Sequence, residues 1–369
     1  MRTFLARSLS LPVLTFTLVL GFSTANSAAQ EQPTVAKDSV QVTAFTLSSY
    51  KGDFKTFSWV PRLKVRVNGP VASGSQIYAE FSTGAGTWVK FDCPTEETVA
   101  GRWRETECGG RDGIPEDKGS LYTGPVNFTI KMRNELAGGD MTLFTGKMKV
   151  AKVHSNETGP NFVNHFVFYV DQDWNLPIGY VFYERDDIQE WKRPGFRFAF
   201  WQRGEYNAPF EPHLFHNGKE VGKLFSDGDE VGKASCGTTE VEDNTTQYTT
   251  PAGQFIWYRW KCEFPNVKAW NETGEENKTM FGPLYMMSEN PGDYEIKIIY
   301  KGHLARSIKF AVDSDGKLVD NGIAKNNKLG NNRIIVPVQV LGDSDGTWDK
   351  LAWKTDAFYG NPLTGFTAP

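Results

Sequence analysis

Hydrophobic and polar residues alternate with a period of two through much of this chain. In residues 254–262, Ile256, Tyr258, Trp260 and Cys262 share one face, and Phe255, Trp257, Arg259 and Lys261 share the other. Residues 64–67, 127–133 and 294–299 alternate in the same way. Turn signals separate these runs: Asn68-Gly69-Pro70, Ala137-Gly138-Gly139, Asn217-Gly218, Asp227-Gly228 and Asp315-Gly316. A helical period shows only in short pieces such as residues 186–192. Many short strands between frequent turns predict an all-β chain of sandwich type.

The pattern occurs twice. Thr98-Val99-Ala100-Gly101 precedes Cys108, and Thr250-Pro251-Ala252-Gly253 precedes Cys262. Trp103 and Trp257 each stand five residues before the second Cys of their half. Trp59, with Arg62, lies upstream of Cys93 much as Trp201, with Arg203, lies upstream of Cys236. Downstream, Gly124-Pro125 matches Gly282-Pro283, and Gly139-Asp140 matches Gly292-Asp293. Asn164-His165-Phe166-Val167 matches Asn332-Arg333-Ile334-Ile335, with Trp174 and Trp348 beyond. This ordered set predicts an internal duplication. The expected units are residues 40–184 and 195–369, joined by a polar linker over 185–194, with 30–39 as a disordered leader. The repeat also selects one of the three pairings open to four cysteines: Cys93 with Cys108, and Cys236 with Cys262.

The stretch Pro291-Gly292-Asp293-Tyr294-Glu295-Ile296-Lys297-Ile298, then Lys301-Gly302-His303-Leu304-Ala305-Arg306, then residues 308–312, resembles the closing hairpin of exported bacterial immunoglobulin-like modules. The resemblance implies two tandem immunoglobulin-like β-sandwich domains and carries over no activity or site residue. The first half departs from it, with Gly138-Gly139 in place of the Pro-Gly corner.

Composition narrows the compartment and the partners. Residues 1–29 read as a secretory signal. Arg2 and Arg7 precede an apolar stretch over 9–22, and Ser27-Ala28-Ala29 offers a cleavage site. That stretch is shorter than the roughly 20 residues a membrane-spanning helix needs, so no integral span is expected. The formal charge is -4; removing the leader takes away two arginines and no acid, leaving a more acidic chain without basic blocks. Nucleic-acid binding is therefore not expected. An even cysteine count behind an export signal fits disulfides in the periplasm or outside the cell.

Candidate chemistry is sparse. Asp313-Ser314-Asp315-Gly316 and Asp343-Ser344-Asp345-Gly346 repeat one tetrapeptide. Asp343, Asp345 and Asp349 present alternating oxygen ligands of a kind that suits calcium, the one cofactor in view. The plainer reading of each tetrapeptide is an Asp-capped tight turn. His213 and His216 fall on opposite faces of any strand, which opposes shared metal ligation. No nucleophile elbow or phosphate-binding loop occurs. Trp103 and Trp257, with Arg259 beside the latter, would form an aromatic ligand platform if their sheet face were open; otherwise they pack inside.

These features lead to an exported, non-catalytic binding or structural protein of the envelope or extracellular space, with a protein or glycan partner. The alternatives are a carbohydrate-binding protein using Trp103 and Trp257, and a hydrolase with a carboxylate pair at the domain junction. Calcium at Asp343, Asp345 and Asp349 predicts that a chelator lowers the melting temperature of the mature protein. An unchanged melting curve removes that site.

Overall fold

The structure is a computed structural model. It describes residues 33–69, 74–94, 103–109, 116–134, 139–184, 194–203, 210–222, 235–241, 257–271, 278–279, 282–327, 333–342, 363–367 and 369. The expected signal segment and all of the expected linker over 185–194 except Pro194 lie outside these residues. Residues from Gln32 to Pro369 form one compact unit.

The chain is all-β apart from short helical turns, with sheets curled into half-barrels. Its first half holds β1 (Thr34–Val35), β2 (Gln41–Leu47), β3 (Ser58–Asn68), β4 (Ser75–Thr83) and β5 (Gly86–Cys93). There follow β6 (Trp103–Cys108), β7 (Gly124–Asn134), β8 (Gly139–His154) and β9 (Phe166–Val170). The second half opens with β10 (Ile178–Glu184), β11 (Gly195–Arg203), β12 (Phe210–His216), β13 (Lys219–Glu220) and β14 (Ser235–Val241). It continues through β15 (Trp257–Lys268), β16 (Lys278–Thr279), β17 (Gly282–Pro283) and β18 (Tyr285–Met286). It closes with β19 (Gly292–Tyr300), β20 (His303–Val312) and β21 (Arg333–Val340).

The sheet orders of the two halves run parallel in part. In the first half β2 pairs β3 and β3 pairs β6, while a second sheet runs β5-β4-β7-β8-β9. In the second half one sheet runs β13-β12-β19-β20-β21-β10-β11-β15-β14. The block β4-β7-β8-β9 thus corresponds to β12-β19-β20-β21, and β2-β3-β6 to β10-β11-β15. In the second half β21 pairs directly with β10. In the first, β9 lies beside β2 through side chains: Phe168 N donates to Thr46 Oγ1 at 3.0 Å, and Gln172 Nε2 to Val42 O at 3.4 Å.

β10 falls inside the span expected for the first unit, yet its ladders go to β11 and β21. Residues 171–177 connect β9 to β10. Gln172, Asp173, Trp174 and Asn175 there are all buried. Two matched landmarks also shift. Gly139 opens β8, whereas Gly292 opens β19, the counterpart of β7. The partner of Gly292 is Gly124: both open their strands in the left-handed region, at φ 139° and 124°. Gly-Asp at a strand start is a common local device, so it matched the wrong strand. Trp59 and Trp201 hold equivalent, buried places on β3 and β11.

The leader expected over 30–39 is also corrected. Thr34 and Val35 pair with Asn68 and Val67 of β3, and a 3-10 turn over Lys37–Ser39 leads into β2 on the same edge. Arg66 bridges the interruption. Its carbonyl accepts from Ala36 N at 3.0 Å, and its N–H donates to Ser39 Oγ at 2.8 Å. The Ser39 hydroxyl therefore replaces a missing ladder bond, and Ala36 packs in the core.

Both disulfides pair as the repeat predicts, Cys93 with Cys108 and Cys236 with Cys262. Their settings differ. Cys93 ends β5 and Cys108 ends β6, so the first bond ties the rim strands of two sheets. Cys236 and Cys262 stand opposite each other within the β14–β15 ladder.

Two cores fill the molecule. One lies within the second repeat, among Phe196, Phe198, Phe200, Tyr258, Trp260, Ile296, Ile298 and Val338. The other fills the first repeat and continues onto the back of the second, taking in Ile178, Tyr180, Phe182, Ala199, Trp201 and Ile335. Alternation along β10 and β11 divides their side chains between the two. At the junction Arg203 Nη1 donates to Asp173 Oδ1 at 2.9 Å, with both side chains buried.

Two predictions follow from this packing. Asp173→Ala leaves the Arg203 guanidinium buried without its carboxylate and should cost about 3 kcal/mol by urea unfolding. Asp173→Asn, which keeps an acceptor, should cost less. Gly146, within β8, has the Phe128 ring where a Cβ would stand. Gly146→Ala should cost about 1–3 kcal/mol through overpacking, and Phe128→Leu should relieve part of that loss in a double-mutant cycle.

Candidate functional site

The candidate site lies on the second repeat, where β20 and β21 part. Their ladder joins Arg306, Ser307 and Ile308 to Val340, Gln339 and Val338, and there it stops. Toward the other end β20 stays paired with β19 and β21 with β10. The chain between the strands fills part of the gap: Val319 N donates to Ala311 O at 2.9 Å, and Asn321 Nδ2 to Ile335 O at 2.6 Å. What remains is a groove of about 590 Å³.

Strand alternation supplies its polar side chains, and Tyr294, Phe310, Ile334 and Val336 line it from the core side. Glu295 stands opposite Phe215 on β12 and opposite Lys309 on β20; Asp293 stands opposite Ala311. These residues line the groove with Val319, Asn321 and the hairpin turn Asn217-Gly218. Asn217 and Gly218 take φ values of 48° and 80°, the left-handed pair that a two-residue hairpin requires. Glu295 Oε1 accepts from Ser307 Oγ at 2.6 Å, and Lys297 Nζ lies 3.7 Å from Glu295 Oε2 and 4.5 Å from the centroid of the Phe215 ring. Asp293 and Lys309 are exposed.

The wall at the hairpin is held from behind. His216 stacks on Tyr294 with centroids 4.6 Å apart. Its Nδ1 meets the Tyr285 hydroxyl at 2.8 Å, and its Nε2 meets Pro291 O at 3.2 Å. The side-chain amide of Asn217 also lies 3.0 Å from Nε2, so the ring is held on both nitrogens. Burial pushes the Tyr294 phenol well above its ordinary range and raises that of Tyr285 as well, so both stay neutral hydroxyls at physiological pH.

The expected site residues fall elsewhere. Trp257 is 1% exposed and Arg259 8%. The guanidinium of Arg259 lies over Tyr180 and Trp201 at 5.5 and 5.6 Å, and that of Arg203 over Trp257 at 5.6 Å. Trp257 and Arg259 therefore form no open platform. The start of β15, Trp257–Trp260, is buried on both faces, with Arg259 against Tyr180 and Trp201 of the first core, while Lys261, Glu263 and Pro265 further along stay half-exposed. Trp103 lies on β6 beside Asn68, and its side chain is outside the described residues. So are the calcium candidates Asp343, Asp345 and Asp349.

The sister tetrapeptide at Asp313 is a capped turn. Asp313 Oδ1 accepts from Asp315 N and Lys317 N, each at 2.9 Å, and Gly316 takes φ 79°. His213 pairs with Glu220 at 2.7 Å, on the face of β12 opposite His216. No group of three metal-ligating side chains occurs among the described residues. At the junction Asp173 is held by Arg203, and Asp171 lies 3.9 Å from Lys149.

No family model, curated protein or solved structure matches this chain. The geometry of the groove therefore carries the functional argument. Its residues belong to alternating runs that the sequence marks only as strands. The one signal for its position is the Asn217-Gly218 turn beside the Pro291-Gly292 corner.

Gly316 anchors the crossing segment. A Cβ there would stand 2.6 Å from Ser288 Cβ and 2.8 Å from its Cα. Gly316→Ala should cost about 1–3 kcal/mol by denaturant unfolding. Hydrogen exchange should quicken at the Val319 and Gly316 amides, with the β10–β11 ladder unchanged.

Proposed function

We propose that this chain is an exported, non-catalytic binding protein of the cell envelope or extracellular space, built from two copies of an immunoglobulin-like sandwich. The observation that carries the reading is the groove at the β20–β21 parting. Small-molecule sites fall in the range of about 300–1,000 Å³ and combine apolar lining with a few convergent polar groups, as this one does. Phe215, Ala311 and Val319 supply the first; Asp293, Glu295, Lys309, Asn217 and Asn321 supply the second. They stand on or beside paired strands, which hold a site more firmly than long loops do.

Two further observations support the wider reading. The shared strand order fits a duplicated sandwich, and two disulfides fit an oxidising compartment. Asp173 and Asp171, beside the turn into β10, are engaged in ion pairs with Arg203 and Lys149; the acids of the expected linker lie outside the described residues.

The test is saturation-transfer NMR of the mature protein against fractionated envelope extract. A fraction should give transfer that Ala311→Trp, which fills the groove, removes while the fold is kept. Transfer that survives this substitution, or turnover of the bound material, would overturn the proposal. Cell fractionation should place the full-length chain outside the cytoplasm.

A further inference from the structure

We infer that the ligand of this groove is a short saccharide, seated between Phe215 and Val319 with its hydroxyls on Asp293, Glu295, Asn321 and Lys309. The inference rests on the binding reading above and names its ligand class.

The mixed lining sets simple anions and wholly apolar ligands at a disadvantage by charge and solvation, and gives a lone cation no use for the amides or the apolar side chains. Asp293 and Glu295 lie two residues apart on one face of β19, and Lys309 stands across from Glu295. A phosphate or other anion would meet two carboxylates. A cation would meet the Lys309 ammonium. A wholly apolar ligand would strip water from carboxylates, ammonium and amides without replacing those hydrogen bonds, at a cost of about 1–3 kcal/mol for each group left unpaired.

A sugar meets each group with a matching one. A carboxylate accepts from two hydroxyls, an ammonium donates to them, and an amide does both. The C–H face of the ring packs against an aromatic or branched side chain. Glu295 is already oriented by Ser307 Oγ and Lys297, so little freedom is lost when it binds. Asp293 is exposed at the strand start, where Asn217 N donates to its carbonyl at 3.1 Å and fixes the backbone that carries it.

The position in the fold points the same way. The end of the second repeat that holds the Asn217-Gly218 hairpin, the start of β19 and the end of β20 is one end of its sheet. In such architectures the connections gathered at one end of a rigid scaffold carry recognition.

The experiment is isothermal titration of the full mature protein with hexaoses of gluco, manno, galacto, xylo and N-acetylglucosamine configuration. At least one should bind with Kd below about 1 mM. Phe215→Ala and Asp293→Asn should each weaken that binding about tenfold or more, with the melting temperature held. Asp293→Asn is isosteric and exposed, so its result stands even if Phe215→Ala unfolds. Leu304→Ala, on an exposed position outside the groove lining, should change nothing. Absence of binding across the panel, or binding unchanged in Asp293→Asn, overturns the saccharide inference. If envelope extract still gives transfer that Ala311→Trp removes, the binding-protein reading stands without it. If that transfer is absent too, both fall.

Discussion

The ion pair between Asp173 and Arg203 sits where the two repeats become one molecule. Both side chains are buried, and the segment that carries Asp173 is buried with them. Burying a polar connection costs desolvation energy unless its groups find partners. Here they do: Asn175 Nδ2 donates to Gln172 Oε1, Gln172 reaches back to Val42, and Arg203 takes Asp173. The connection is therefore a fixed part of the core. The first repeat's core runs on to Tyr180, Phe182 and Trp201, so both faces of β10 and β11 lie inside.

That continuity decides which aromatic residues are available to a ligand. On a free sandwich the back of β11 and β15 would be an outer surface, and Trp257 with Arg259 would be a natural platform. The first repeat covers that surface. Among the described residues, the groove lies instead at the end of the second half, where β21 turns from β20 to β10. In this sense the groove and the buried tryptophan are two results of one packing arrangement.

The strands and their faces were legible in the sequence because period-two alternation is a local property. Tyr258, Trp260 and Cys262 point into the second core as the pattern requires. The cysteine pairing was legible because parity preserves face across the repeat. The pairing of β10 was not. Residues 185–194 are polar and read as a linker, while 171–177 contain Trp174 and Leu176 and read as core; that β10 pairs with β11 and β21 is a long-range fact. The groove escaped for a related reason. Asp293, Glu295 and Lys309 look like the ordinary polar face of a strand, and nothing local records that the ladder beside them ends at Ile308. The Asp313 turn was legible in its plainer reading, since Asx capping and a left-handed glycine need no tertiary partner.

The two cross-links carry a final consequence. Open sheet margins are templates for adding another chain's strand. In the first repeat β5 and β6 are the outermost strands of their sheets, and Cys93–Cys108 clasps one to the other. That bond acts as a guard against self-association as well as a restraint on the unfolded chain. The Cys236–Cys262 bond, lying inside an existing ladder, gives its repeat no such cover. Reduction would therefore change the exposure of sheet margins in the first half, at β5 and β6, and leave those of the second half as they are.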